Sequence, residues 1–263
     1  MRSILVVAGL DPSGGAGFLA DARVVADHGM RAVGVVTALT VQDTSGVRAS
    51  HPSPLEVVGD QLRALLGDVE VDAVKLGMLG DARLADVVAD ALALTCAPLV
   101  WDPVLLPSRG GVPLLTGDVA HAATRLLREA RVVTPNLAEA ATFAGLDAVC
   151  DLPAMHRAAQ ALLARGAKAV LVKGGHLTGA PIDLLVDSAS DSDSDSTRAP
   201  LELTGERVDA GPLHGTGCVL ATALACGLAA GLSLPDAVRA ARAYLSARLR
   251  APLAVGRGAR VLV

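Results

Sequence analysis

A chain of 263 residues is long enough for one large domain or two small ones, each with a proper hydrophobic core. Apolar residues make up 52% of it and aromatics only 2%, so the core is aliphatic; the net charge of −4, with no Lys/Arg block, leaves no footprint for nucleic acid. Four scattered cysteines, Cys96, Cys150, Cys218 and Cys226, form no C-x-x-C pair, which argues against a zinc site or disulfide framework and points to a reducing, cytoplasmic setting.

The first apolar run, over 4–8, is too short for a signal peptide and reads as a strand. Ala8-Gly9-Leu10-Asp11-Pro12-Ser13-Gly14-Gly15-Ala16-Gly17 follows it. Its glycines allow a tight turn and a close backbone approach to a flat ligand, and it opens a helix over 15–28 that carries Asp21. No Gly-Lys-Ser/Thr follows, so it is not a P-loop. A second strand over 33–38 leads into Thr40-Val41-Gln42-Asp43-Thr44-Ser45-Gly46-Val47, expected as a polar loop. The Gln42 amide offers a donor and an acceptor to a heteroaromatic edge, although an ordinary surface loop fits these residues equally.

A helix over 54–66 precedes a strand over 72–76, which ends in Lys75-Leu76-Gly77-Met78. A helix over 82–94 precedes a strand over 98–102, where Asp102 stands before Pro103 and Val104. There its carboxylate either holds Mg²⁺ through water and orients phosphates, or caps a turn. After a helix over 117–129 and a strand over 130–134 comes Asn136, with Glu139 three residues on. That spacing makes a capping box and equally suits a hydrated Mg²⁺, and both can hold at once. Helices over 137–145 and 153–165 precede a strand over 168–173 that ends in Lys173-Gly174-Gly175-His176, a lysine placed either for nucleotide phosphates or simply before a turn.

A strand over 182–186 leads to Ser188–Arg198, an acidic Ser/Asp insert. Asp191, Asp193, Asp195 and Glu202 match part of a calcium-loop template, but Ser196 replaces the required glycine and Pro200 intrudes, so a solvated loop is expected. Finally His214-Gly215-Thr216-Gly217-Cys218 opens a helix over 216–231, followed by another over 234–250. The two glycines let N–H groups crowd around an anion, and the helix field is expected to lower the Cys218 thiol pKa and make it a usable base or nucleophile. The plainer alternative is a glycine-permitted turn with Cys218 as a small core residue. The apolar run Val219–Leu232 is shorter than the roughly 20 residues a spanning helix needs.

Strands alternating with helices imply βαβ units: one domain over 1–263, a three-layer α/β/α sandwich around a mostly parallel sheet. The motifs follow strands, where ligands bind in such sheets.

In order and spacing the set AGLDPSGGAG…AD (8–21), TALTVQDTSGV (37–47), DAVKLGML (72–79), DPV (102–104), TPNLAEA (134–140), VKGGH (172–176) and HGTGC (214–218) resembles the hydroxymethylpyrimidine/phosphomethylpyrimidine kinases of thiamine biosynthesis, within the ribokinase-like superfamily. The resemblance implies ATP-dependent phosphorylation of 4-amino-5-hydroxymethyl-2-methylpyrimidine and then of its monophosphate. It implies that Asp21 and Gln42 bind the pyrimidine in a pocket lined by Gly9, Met78 and Val104. Asn136 and Glu139 would organise Mg²⁺ with Asp102, Lys173 would lie near ATP, residues 215–218 would form the anion hole, and Cys218 would be the base. It is compatible with a homodimer. Members commonly carry Thr-Lys-Asn-Thr before the HGTGC motif, where this chain has Asp209-Ala210-Gly211-Pro212-Leu213. Two other readings stand: a vitamin B6 kinase of the same fold, acting on pyridoxal or pyridoxine, and a non-catalytic pyrimidine-binding homologue.

Overall fold

The computed structural model describes residues 1–107, 111–188 and 199–263; the Ser/Asp stretch 189–198, expected as a solvated loop and a partial calcium template, lies outside the described residues. In chain order the strands are β1 (Ser3–Leu10), β2 (Arg31–Asp43), β3 (Gly46–Pro52), β4 (Ala73–Leu76), β5 (Gly80–Asp81), β6 (Leu99–Trp101), β7 (Leu115–Thr116), β8 (Val132–Val133), β9 (Ala169–Val172), β10 (Ile182–Asp187), β11 (Leu201–Thr204), β12 (Leu213–His214) and β13 (Arg260–Val261). The helices are α1 (Gly17–Asp27), α2 (Leu55–Asp68), α3 (Leu84–Leu92), α4 (Val119–Glu129), α5 (Leu137–Ala144), α6 (Leu152–Ala164), α7 (Thr216–Ala229) and α8 (Leu234–Arg250).

Among the described residues the main sheet runs β11-β10-β9-β8-β6-β4-β1-β2-β3. Pairing is parallel from β9 through β2 and antiparallel at both margins, where β3 returns against β2, β10 against β9 and β11 against β10. The central strands are buried on both faces, as a covered parallel sheet requires. Leu5 and Val7 of β1 enter a core with α2 to α6, while Ile4, Val6 and Ala8 enter a second core with α1, α7 and α8. The three-layer α/β/α architecture expected from the alternation is therefore observed. Helix starts follow their caps: Asp118, Asp151 and Ser233 each accept from the backbone of the first turn, and Asn136 with Glu139 closes a full capping box at α5.

One expectation is corrected. The polar segment over 40–47 is not a loop: β2 continues to Asp43, turns at Thr44–Ser45 and returns as β3, with Thr40 opposite Ser50 and Gln42 opposite Val47. Its alternation is inverted, which hides it from a hydrophobic-pattern reading. Thr40 is buried, whereas Leu39 and Val41 are 53% and 45% exposed.

Candidate active site

Because β1, β2, β4, β6, β8 and β9 run parallel, the segments after them all emerge at one edge of the sheet, and the loop before α7 joins them. The turn after β1 packs against that loop. Gly215, the N-cap of α7, has φ +82°, and a Cβ there would come 2.0 Å from the Gly15 carbonyl oxygen. Only glycine tolerates both the backbone conformation and the contact. No side chain caps α7 and its first turn holds no acidic residue, so the positive end of the helix faces the site. A Cβ on Gly217 would lie 3.0 Å from Lys173 Nζ and 3.4 Å from Asp102 Oδ2, which brings the expected anion hole, the lysine and one expected metal ligand together.

Lys173 donates to Asp102 Oδ1 at 2.6 Å, and the Thr134 hydroxyl donates to the same oxygen at 3.3 Å. Burial alone would lower the Lys173 ammonium, but Asp102 and Glu139 outweigh it and hold the pKa above its ordinary value. The Lys173 N–H donates to the Pro135 carbonyl, which places the lysine beside Asn136. Glu139 Oε2 accepts from the Asn136 N–H at 2.8 Å, and Asn136 Oδ1 accepts from the Glu139 N–H at 2.9 Å. Burial, helped by the Asp102 charge and opposed by Lys173, pushes the Glu139 carboxyl up to about 7. Among the described residues no three His, Cys, Asp or Glu side chains form a metal cage. Two carboxylates beside a single ammonium instead leave hard-oxygen donors for a cation that takes its other ligands from phosphate and water, as Mg²⁺ does.

Behind this edge lies a group that sequence reasoning missed. Alternation along β4 sends Val74 and Leu76 to one core and Lys75 to the other face, where it is fully buried. Its Nζ donates to Asp21 Oδ2 at 2.5 Å, and Asp21 Oδ1 accepts from the Thr222 hydroxyl of α7 at 2.7 Å. Both carboxylate oxygens of Asp21 are thus held by protein partners. Burial would lower the Lys75 ammonium, yet the charges of Asp21, Cys218 and Asp102 raise it well above its usual range. Among these four groups Lys75 alone is a cation, so a lysine within a strand was the signal available.

The thiol of Cys218 is corrected in the other direction from its expectation. Burial pushes it up to about 11; Lys75 and a hydrogen bond involving Gly17 pull it down, while Asp21 and Asp102 add to the rise.

Three expected pocket residues meet around a small apolar cluster of Ala38, Val47, Met78 and Leu114, flanked by Val104 and Val112. A Cβ on Gly9 would lie 2.8 Å from Met78 Sδ, so glycine there admits the thioether. Gln42 stands next to it on β2, its amide 2.7 Å from His214 Nε2, and His214 Nε2 is also 2.9 Å from Asp11 Oδ2. A recess of about 10 Å³, room for one water, lies between Gln42, Val47, His214 and Ala259. A larger recess of about 520 Å³ lies at the opposite edge of the sheet, between Leu66–Asp72 and Leu94–Pro98, away from all these groups. Where the resemblance leads one to expect Thr-Lys-Asn-Thr, the chain has the partly exposed stretch Asp209-Ala210-Gly211-Pro212-Leu213, and nearby Arg207 donates to the carbonyls of Gly175, Leu177 and Gly179, pinning the loop after Lys173. No described helix is long and apolar enough to cross a membrane.

A family profile described as phosphomethylpyrimidine kinase matches residues 11–262. The hydroxymethylpyrimidine/phosphomethylpyrimidine kinase of Streptomyces coelicolor is 44% identical over 255 residues, 97% of this chain and 91% of its own. Among solved structures, pyridoxal kinase from Staphylococcus aureus in complex with AMP-PCP and pyridoxal superposes with a TM-score of 0.87 at 28% identity, covering 100% of this chain and 93% of that one. Phosphomethylpyrimidine kinase from Clostridium difficile superposes with a TM-score of 0.79 at 29% identity, covering 94% and 99%. Matched by that profile over residues 11–262 and by relatives along almost its whole length, the chain belongs to the phosphomethylpyrimidine kinase family.

Proposed function

We propose that this protein moves the terminal phosphoryl group of ATP to the hydroxymethyl oxygen of 4-amino-5-hydroxymethyl-2-methylpyrimidine, and in a second turnover to the phosphate so formed. The carrying observation is the convergence at Gly217: an uncapped helix N-terminus with Lys173 Nζ only 3.0 Å from where a side chain would begin. Transfer of a phosphoryl group demands positioning and charge stabilisation more than covalent chemistry. The N–H groups of 215–217 and Lys173 receive the charge that spreads over the migrating group. In the first turnover a bond forms from the alcohol oxygen to phosphorus, the bond to the ADP oxygen breaks, and the alcohol proton passes to Cys218 as thiolate. Mg²⁺ would neutralise phosphate charge, held through Asp102 and Glu139 with Asn136 fixing the Glu139 carboxylate. Gln42 and the Gly9–Met78–Val104 wall receive the ring. Asp21 contributes from beneath, through Lys75 and Thr222.

Incubation with Mg-ATP and the pyrimidine, pyridoxal or neither, followed by mass spectrometry, tests the reading. Pyrimidine mono- and diphosphate together are expected. No product despite measurable pyrimidine binding would instead make the chain a non-catalytic homologue. The pyridoxal arm is included because the superposition on the Staphylococcus aureus pyridoxal kinase is as extensive as any described above.

A further inference from the structure

We infer that Asp11 and His214 fix which way round the Gln42 carboxamide points, and that this orientation selects a ring carrying an amino group beside its hydroxymethyl arm. The selectivity rests on the proposed function; the orientation does not.

An ionised aspartate only accepts hydrogen bonds. Asp11 is such a group: burial would raise its carboxyl, but His214 and Ser13 hold it below the ordinary aspartate value. Its oxygens also accept from the N–H groups of Ser13 at 2.8 Å and Ala16 at 3.0 Å. With Asp11 Oδ2 at 2.9 Å, His214 Nε2 must carry a hydrogen, whether the ring is neutral or charged. The structure sets the Gln42 Nε2 2.7 Å from that same nitrogen, and the two ends of the carboxamide have to be exchanged for the contact to be a hydrogen bond. An amide N–H₂ facing it would set donor against donor, so the atom facing His214 is the oxygen. The other end of the amide gives the same answer. That end, placed as Oε1, lies 3.2 Å from the Thr40 hydroxyl, whose single proton goes to the nearer Leu10 carbonyl at 2.8 Å. The hydroxyl then has only lone pairs left for Gln42, and the amide nitrogen must be the atom that meets it. The two ends of an amide have the same shape, so hydrogen-bond chemistry decides between them.

In this orientation one lone pair of Oε1 and one N–H of Nε2 remain unspent. The pyrimidine offers their complement on adjacent atoms: an amino donor next to the hydroxymethyl-bearing carbon, and a ring-nitrogen acceptor beside that amino group. Pyridoxal places an aldehyde, which only accepts, where the pyrimidine has its amino donor. A locked amide oxygen would face that aldehyde oxygen, whereas an amide free to turn could present N–H to it. Asp11 and His214 are therefore positioning residues: they act on the substrate through Gln42.

Two measurements test this on the whole protein. In ¹⁵N NMR, with the His214 signal assigned by its loss in His214→Phe, the wild-type ring is expected to carry hydrogen on Nε2. A neutral ring protonated only on Nδ1 would overturn the orientation. In calorimetry without ATP, the ratio of pyridoxal to pyrimidine dissociation constants is expected to fall at least about tenfold in His214→Phe and in Asp11→Asn. An unchanged ratio, or equal weakening for both rings, would overturn the selectivity and leave the pair as loop supports. Should either variant fail to fold, the other variant and the wild-type tautomer decide. Both readouts are independent of catalysis, so a protein that transfers no phosphate would count against the proposed function alone.

Discussion

Cys218 shows how two opposed effects are ranked by size. A helix N-terminus contributes about 0.3–1 kcal/mol to a negative charge, less than one pKa unit, whereas removing a charge from water shifts a group by several units. Lys75 is present to help the thiolate, but Asp21 and Asp102 offset it, and the thiol is pushed up to about 11. A thiol with that pKa holds its proton at neutral pH, so the fraction able to act as a base grows as pH rises. The first phosphorylation should accordingly increase from pH 7 through pH 9 without levelling; a plateau below pH 8 in the pH–rate profile would remove Cys218 as the proton acceptor. The second substrate presents a phosphate oxygen already ionised near neutrality and needs no base. Cys218→Ala should therefore slow the first step by about 10²–10⁴-fold and the second far less. Equal losses in single-turnover assays of the two steps would leave Cys218 only shaping the anion hole.

Between elements, the group to watch is the bridge of β4, α1 and α7 through Lys75, Asp21 and Thr222. All three side chains are fully buried, so in place of water the Lys75 ammonium and the Asp21 carboxylate have each other and the Thr222 hydroxyl. Removing one member of such a pair strands the other and typically costs about 3–5 kcal/mol, while removing both costs much less. Lys75→Met should lower unfolding free energy by about that amount, and Lys75→Met with Asp21→Asn should recover at least half of it in urea denaturation. Additive losses would mean that the pair is not coupled. The strands and helices of this layer were legible because their apolar runs follow the periods of a covered parallel sheet. The β2–β3 hairpin was not, since Thr40 and Gln42 turn inward while Leu39 and Val41 face solvent. That inversion is itself informative: polar groups facing inward at the end of a strand prepare a polar ligand site.

Across the whole molecule the site is assembled from distant pieces: 203 residues separate Asp11 from His214, and 201 separate Asp21 from Thr222. Motif spelling could therefore suggest that Gln42, Cys218 and Lys173 act together, but only the fold reveals their mutual partners. The tail of the chain joins these pieces. Val261 pairs with His214 through β12 and β13, and the Arg260 N–H donates to the Pro212 carbonyl. Just before it, the Gly258 N–H donates to the Thr44 hydroxyl at 3.0 Å and the Ala259 N–H to the Thr44 carbonyl at 2.7 Å. One short segment thus fastens the tip of the β2–β3 hairpin to the start of the anion-hole loop, and so sets Gln42 against His214. A Cβ on Gly258 would come 2.1 Å from the Thr44 carbonyl oxygen, a backbone atom that cannot swing away. Gly258→Ala should therefore push the hairpin tip off its support. Because the contact lies outside the two main cores, the loss should fall on the ring pocket: pyrimidine KM is expected to rise about tenfold, with ATP KM little changed and global stability lowered by no more than about 1–2 kcal/mol. Steady-state kinetics varying each substrate in turn would decide it, since a rise in both KM values would mean that the tail supports the fold at large rather than the approach of Gln42 to His214.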